Sequence, residues 1–404
     1  MSHQWLYPIF RVNGYRPTQI ETDEHCLRLH LEPQPHQVCC SQCGNREVIR
    51  RGEQVRQLRN LPVGGVVSLL LIKIPRVECR ACGVVRQIRL GVAEERRSYT
   101  RAFARYVLEL SQFMTIKDVA EHLGVSWDIV KDIQKAYLTK HYAKPALKAV
   151  RQIAIDEICV GRGYRFVTLV LDLDSGAILF VGKGKKAESL RPFWRRLQAA
   201  HAQIKAVAMD LSPAYQQAVS KHLPKAIVVF DRFHVVKLLN QKLTQLRREL
   251  YRQATSDLKK KVLKGTRWLL LKNPENLDPV KGEPGRLRQA LRLNESLATA
   301  YYLKEDLRQI WEQPNRRAAR SKLLDWYHQA MESGIRVLHD FARTLLKHAQ
   351  GILAWYDYPI STGPLEGTNN KIKTLNRQHY GLRDADFFTL KLYQLHETKY
   401  ALVG

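Results

Sequence analysis

Between Arg151 and Asp231 the chain changes texture in an order that few folds accommodate. RQIAIDE, YRFVTLVLDLD and AILFVGKG read as three consecutive strands, with turn signals at GRG and DSG. ESLRPFWRRLQAAH then carries apolar residues at helical spacing, and IKAVAMD reads as a short buried strand. PAYQQAVSKHL follows as a second helix and IVVFD as a further strand. Three hairpin-type strands followed by alternating helix and strand is the order of an RNase H-like sheet. That order predicts Asp156 at the end of the first strand and Asp210 at the end of the fourth. In such a sheet the two strands are neighbours, so both carboxylates would project into one site.

Cutting a phosphodiester in line gives paired carboxylates a use. The reaction needs an activated water or 3′-hydroxyl and neutralised charge on the leaving oxygen, and two Mg²⁺ or Mn²⁺ ions about 3.5–4 Å apart serve both ends. Hard divalent cations take oxygen ligands, which Asp and Glu supply with charge. A third carboxylate must come from elsewhere, and Glu366 in STGPLEGTNNKIKTLNRQHYG is the best candidate. It opens an apparent helix on which Asn369, Asn370, Lys371, Lys373 and Arg377 are polar or basic, while Ile372 and Leu375 can pack inward. Asn370, Lys371, Lys373 and Arg377 are candidate DNA contacts. A lone strand-end Asp is often only a turn or cap residue. Glu157, Asp172 and Asp174 are nearby acidic alternatives, and the last two flank a turn that accounts for them.

Well over a hundred residues with little strand character separate DRFH from Glu366. Leu239, Leu243, Leu246 and Leu250 recur at helical spacing, and YYLKEDLRQIWEQ and SKLLDWYHQAM continue the pattern. The stretch reads as an all-helical insertion ahead of the final helix of the core, with NPENLDPVKGEPG its clearest loop. Trp268, Trp311, Trp326 and Trp355 could stack on an unpaired base, but core packing is the commoner fate of tryptophan. Trp268 and Trp311 are the least decided.

Upstream, Cys40-x-x-Cys43 and Cys79-x-x-Cys82 form two CxxC pairs, each followed by glycine. A CxxC knuckle binds one metal from a tight turn, the glycine permits positive φ, and two knuckles complete a tetrahedral four-thiolate zinc site. VVSLLLIKIPRVEC leads into the second knuckle as a strand, as in a zinc ribbon. The linker is somewhat longer than in the shortest zinc modules. A redox CxxC is the competing reading, which two glycine-flanked copies disfavour. Cys39 could replace Cys40 in a shifted register, and Cys26 and Cys159 read as ordinary buried thiols. Arg46, Arg50, Arg51, Arg76, Arg80 and Arg86 surround the knuckles, as suits docking on phosphates.

IKDVAEHLGVSWDIVKDI, Ile116 to Ile133, has helix-turn-helix spacing. Val119, Ala120 and Leu123 form the inner face of its first helix, Gly124 the turn, Val125 a plug and Ser126 an N-cap. Ile129, Val130 and Ile133 continue the apolar face. Ser126, Trp127, Asp128 and Lys131 fall early on the second helix, where a recognition helix meets the groove. A plain helical hairpin would share this pattern.

The 404 residues carry a formal net charge of +28, spread along the chain, and so large an excess implies a polyanionic partner. No apolar run approaches the roughly 18–20 residues that span a bilayer. MSHQWLYPIF lacks the features of a secretory signal, so a cytoplasmic, reducing setting and no membrane partner are expected. The readings divide the chain into a zinc-binding module (1–92), a helix-turn-helix domain (93–146), the first part of the RNase H-like core (147–238), a helical insertion (239–358) and the C-terminal helices of the core (359–404). The fold class expected is multidomain α+β.

IAIDE, AVAMDLSPAY, VVFDRFHVVKLLN and GPLEGTNNKIKTLNRQHYG resemble the core motifs of the ISL3-family insertion-sequence transposases. The four-cysteine module and helix-turn-helix stand in the same order there, so the resemblance covers nearly the whole chain. It implies a DDE transposase with Asp156, Asp210 and Glu366 as the triad that binds Mg²⁺ or Mn²⁺. It also implies that Asp231 and His234 form the family's D-x-x-H element, with a supporting or phosphate-contacting role; helix capping by Asp231 and a packed or surface His234 are the plainer alternatives. Where the family usually has Asn before the glycine, this chain has Thr362. The implied activity is binding of terminal inverted repeats, cleavage of the ends and joining of 3′-ends to target DNA, by a homodimer or larger assembly. A nuclease or resolvase without strand transfer, and an inactive DNA-binding regulator, are the alternatives.

Overall fold

A computed structural model describes residues 6–160, 166–378 and 384–397 of the chain. These fall into two units that divide at His141 and Tyr142. The GRG turn and the final HYG of the Glu366 motif lie outside the described residues.

The first unit begins with α1 (Leu6–Phe10), followed by β1 (Tyr15–Thr22), β2 (Cys26–Pro33), β3 (Val48–Val63), β4 (Val66–Cys79) and β5 (Val85–Gln87). The strands lie in the order β1-β2-β4-β3, with β5 against the end of β4. β2 and β4 are parallel; the other pairs are antiparallel. β4 is the run VVSLLLIKIPRVEC, and its Leu70, Ile72 and Ile74 are buried with Leu29, Leu31 and Leu58. Gly64 and Gly65 turn β3 into β4 with φ of 60° and 84°, a pair of positive values that other residues hold only with strain. The extra length between the knuckles is this long hairpin.

Three helices complete the unit: α2 (Arg101–Leu110), α3 (Ile116–Leu123) and α4 (Trp127–Tyr142). Phe103, Val107, Val119, Ala120, Leu123, Val130 and Ile133 form their shared core. Buried Asn60 on β3 donates to Phe10 O (3.1 Å) and accepts from Thr100 Oγ1 (2.7 Å). Thr100 in turn caps α2 by accepting from Phe103 N (3.1 Å). Arg59 donates to the last carbonyl of α3, Leu123 O, at 2.7 Å. The helices are therefore tied to the sheet by the Asn60–Thr100 bond and by the Arg59 guanidinium, whose Nη2 is bonded while its buried Nε has no partner among the described residues.

The second unit holds β6 (Gln152–Cys159), β7 (Phe166–Asp172), β8 (Ile178–Lys183), α5 (Arg191–Ala199), β9 (Ala206–Met209), α6 (Pro213–His222) and β10 (Ile227–Phe230). The sheet order is β10-β9-β6-β7-β8, antiparallel across β6, β7 and β8 and parallel from β6 to β9 to β10. Helices follow: α7 (Arg232–Gln253), α8 (Asp257–Gly265), α9 (Arg267–Leu271), α10 (Glu283–Arg292), α11 (Glu295–Arg308), α12 (Arg316–Glu332), α13 (Arg336–Lys347) and α14 (Ala349–Leu353). α15 (Gly363–Gln378) and α16 (Ala385–Gln394) come last. One core runs from Ile153, Ile155 and Val207 in the strands to Leu239, Leu243, Trp326 and Phe341 in the helices. Between α9 and α10, buried Glu283 anchors the loop by accepting from Lys272 Nζ (2.7 Å) and Asp278 N (2.8 Å). Among the described residues, no helix is long and apolar enough to cross a membrane.

Candidate active site and nucleic-acid elements

Asp156 lies within β6 and not at its end, because β6 outruns its parallel neighbour. β9 pairs only with Gln152, Ile153 and Ala154, while β7 stays paired to β6 as far as Cys159. Asp156 therefore stands just beyond the parallel pairing. The register that matches Ala154 with Ala208 carries it level with Asp210, the residue after β9. Strand alternation turns Asp156 and Glu157 to opposite faces. Asp156 is partly buried, and that burial raises its pKa; bonds from Glu157 N (2.7 Å to Oδ1) and Asn369 Nδ2 (3.0 Å to Oδ2), with nearby His234, pull it back, and the Asp210 charge pushes it up.

Glu366 occupies the exposed first turn of α15. It shares with Asp156 a cleft of about 660 Å³, onto which Asn369, Asn370 and Lys373 also face from α15. These are the i+3, i+4 and i+7 positions from Glu366, one helical face. Asn369 to Asp156 and Asn376 Nδ2 to Val160 O (2.7 Å) fasten that helix along β6. Lys371 faces a different hollow, beside Pro364, Gly367 and His396, and Arg377 is exposed in the last turn and does not line the cleft. Asp210 is half-buried and is not part of the cleft wall, although its charge acts on both Asp156 and Glu157. Among the described residues, the three carboxylates do not converge within 4.8 Å as the knuckle cysteines do.

The other wall is the start of α7. Asp231, 4% exposed, caps that helix by accepting from Phe233 N (2.6 Å) on Oδ1. Its Oδ2 accepts both Thr362 N (2.5 Å) and Thr362 Oγ1 (2.7 Å). The carboxylate is thus consumed in joining the start of α7 to the start of α15. His234 lines the cleft, with its Nδ1 buried and unpartnered among the described residues. Behind the sheet, burial raises the Glu157 pKa and a bond from Tyr215 opposes it; the Tyr215 hydroxyl also meets Thr168 Oγ1 at 3.0 Å. Asp172 binds its own turn, accepting from Ser175 N (3.3 Å) and Ser175 Oγ (2.5 Å), with Asp174 beside it.

In the first unit, the Sγ atoms of Cys40, Cys43, Cys79 and Cys82 lie within 4.8 Å of one another. Each knuckle closes on a glycine with positive φ, Gly44 (79°) and Gly83 (69°), whose N–H bonds the first cysteine's carbonyl at 3.0 and 2.9 Å. The pairing of Val48 with Cys79 brings the two knuckles together. Backbone N–H groups of Cys43 and Gln42 on the Cys40 sulfur pull its pKa down to about 6, while neighbouring thiols and burial push Cys43 and Cys82 up, so one thiolate forms readily and a bound cation would favour the others. Cys39 is outside the cluster and Cys26 is buried. Cys159 is exposed, contrary to the buried thiol expected, because it is the last residue of β6. The six arginines around the knuckles are all exposed. In the helical part, Gly124 adopts φ 60° at the turn and Ser126 Oγ accepts from Asp128 N (3.2 Å). Trp127 and Asp128 are exposed, and Lys131 Nζ lies 5.8 Å from the Trp127 ring centroid.

Three family descriptions match in chain order. A zinc-finger of transposases IS204, IS1001, IS1096 and IS1165 covers residues 36–82, a helix-turn-helix domain of transposase family ISL3 covers 88–138, and the ISL3 DDE transposase domain covers 153–392. The transposase for insertion sequence element IS1001 of Bordetella parapertussis is 34% identical over 385 residues, 94% of each chain. This chain belongs to the ISL3 family of transposases. The transposase for IS1557 of Mycobacterium tuberculosis is a more distant relative, 28% identical over 369 residues, 85% of this chain and 82% of that one. The ISL3 zinc-finger match and the four converged thiols together support a structural zinc.

Asn369 and Tyr215, which bond the carboxylates, were left without a part by the sequence, as were Arg232, Asn273, Arg308 and Ser361 of the cleft lining. Asn369 had a signal, its i+3 spacing from Glu366. Tyr215 had none, since only the sheet brings α6 beside β7. Of the four tryptophans, Trp326 and Trp311 are buried, Trp355 is partly buried on the cleft and Trp268 is exposed.

Proposed function

We propose that this protein is a DDE transposase that binds the terminal inverted repeats of its element, cuts phosphodiesters there and joins the freed 3′-ends to target DNA. The observation that carries the reading is the meeting of Asp156 and Glu366, far apart in sequence, on one cleft, with Asp210 level with Asp156 across β6 and β9. The sheet order, with two parallel strands added to one side of a three-stranded meander, supports an RNase H-like core, and α7 to α14 would be its helical insertion.

The donor set suits a hard divalent cation: carboxylate oxygens, one of them desolvated, beside the buried unpartnered Oδ1 of Asn369. Asp156, Asp210 and Glu366 would hold Mg²⁺ or Mn²⁺, which when bound supplies charge neutralisation at the attacking and leaving oxygens. Asn369 and the Glu157 N–H each hold one Asp156 oxygen and so fix the carboxylate's orientation at the cleft. Asp231 sets the start of α15, and hence Glu366, relative to α7. His234 and Lys373 contact the scissile phosphate, and Asn370 a neighbouring one. Lys371 and Arg377, off the cleft, would meet flanking DNA. In the N-terminal unit, Ser126, Trp127, Asp128 and Lys131 face the duplex. Synapsis of two ends requires a dimer or larger assembly on DNA, in the bacterial cytoplasm.

The test is incubation of the purified protein with DNA carrying the element's ends, Mg²⁺ or Mn²⁺ and a target plasmid. Strand-transfer products that vanish in Asp156→Ala, Asp210→Ala and Glu366→Ala are the expected result. End binding without metal-dependent cleavage would leave a DNA-binding regulator, and cleavage without joining would leave a nuclease.

A further inference from the structure

The inner face of α7 is accounted for: Val235, Leu239, Leu243 and Leu246 are buried in the core. Its opposite face is not used by the cleft beyond the first two turns. Phe233, Lys237, Asn240, Thr244 and Arg248 succeed one another there at helical spacing. They line a groove of about 530 Å³, closed on its other side by Arg267 of α9. The stripe runs about 22 Å at the helical rise. Phe233 and Lys237 also line the carboxylate cleft, so the groove opens directly into it.

A solvated helix face normally mixes charges of both signs. No acidic side chain lines this groove, and among the described residues no carboxylate is ion-paired with Lys237, Arg248 or Arg267. The apolar lining is Phe233, Val236 and Leu271, and the aromatic one, Phe233, stands at the mouth. Phe233 is 56% exposed with Lys237 Nζ 5.9 Å from its ring centroid; beyond the groove lining, Trp268 is 64% exposed with the guanidinium of groove-lining Arg267 4.5 Å from its centroid. Cations that track phosphates, beside an open aromatic face, suit single-stranded nucleic acid, because a base offers its face only when unpaired. We infer that the α7 groove is a track for an unpaired DNA strand running out of the cleft, with Phe233 as the base platform at its mouth and Arg248 and Arg267 on the phosphates. The inference rests on the reading of the cleft as a site that cuts DNA.

Fluorescence anisotropy on the full chain in metal-free buffer tests it, with a labelled oligothymidylate of about 12 nucleotides and a blunt duplex of the same length. Phe233→Ala should weaken single-strand binding about five-fold or more and leave duplex binding as it was. The pair Arg248→Ala and Arg267→Ala should flatten the slope of log affinity against log salt for the single strand by about 1.4. The corresponding lysine pair should restore it. Unchanged single-strand affinity in both variants overturns the proposal, and so does an equal loss for the duplex, which would mean a general phosphate patch. The end-joining assay is run in parallel to separate the two readings. A wild type that joins ends while the groove variants bind the oligomer normally defeats the groove alone. A wild type that never cuts, with oligomer binding lost in the groove variants, defeats the catalytic reading alone.

Discussion

Asp231 accepts three hydrogen bonds inside the fold, two of them from a residue that follows it at a great distance in sequence. Removing the carboxylate leaves the Phe233 and Thr362 N–H groups in a buried place without acceptors, at about 1–3 kcal/mol each. Asp231→Ala should therefore cost about 3 kcal/mol or more in urea unfolding and abolish end cleavage. Thr362→Asn keeps a side-chain donor beside Asp231 and should retain both stability and cleavage, whereas Thr362→Val loses the hydroxyl bond. Asn369→Ala removes the donor to Asp156 and should lower cleavage about 10- to 100-fold with end binding unchanged. Asp156 also carries a pH signature. Burial holds its folded pKa above the unfolded value, so the folded chain keeps a proton that the unfolded chain releases. The stability tied to that proton is complete below the ordinary aspartate range and is lost as pH rises through the raised value. Without metal, the wild-type melting temperature should fall over that interval by more than that of Asp156→Asn; parallel curves would count against the burial argument.

At the scale of elements, the zinc knuckles and the sheet beneath them have separate sources of order. The sheet has its own apolar core around Leu29, Leu58, Leu70 and Ile72, and the knuckles have little beyond their turns and thiolates. A strong chelator should expose the amides of residues 40–45 and 79–87 to hydrogen exchange while the centres of β3 and β4 stay protected. Global unfolding would show that the metal holds the sheet as well. In the helix-turn-helix, Lys131→Ala should weaken duplex binding and reduce its salt slope by about one. The elements differed in how well they could be read from sequence. β4 was legible as a near-continuous apolar run, and the helix-turn-helix because its apolar residues repeat at helical spacing. β3 was not, since in VIRRGEQVRQLRNLPV only Leu58 and Asn60 are buried and the apolar residues show no clean alternation. Asp156 was assigned to a strand end because the sequence cannot reveal that β9 pairs with only three residues of β6.

For the molecule as a whole, the excess of positive charge belongs to both units, so affinity for DNA should fall steeply with salt. If six or more phosphates are contacted, raising salt from about 50 to 200 mM should lower affinity roughly a thousand-fold or more. Architecture at this scale was partly legible: the order of strands was written in the run from Arg151 to Asp231. Glu366 was reachable only through its motif, because no local period tells which helix returns to a sheet after so long an excursion. The bond from Asp231 to Thr362 makes that return a matter of timing during synthesis. A ribosome completes the sheet and extrudes α7 to α14 before residue 362 exists to meet the waiting carboxylate. A polypeptide halted in that interval would own the zinc module and the helix-turn-helix and none of α15. On the function proposed above, such a chain would hold DNA without cutting it, so an aborted chain would restrain its finished siblings.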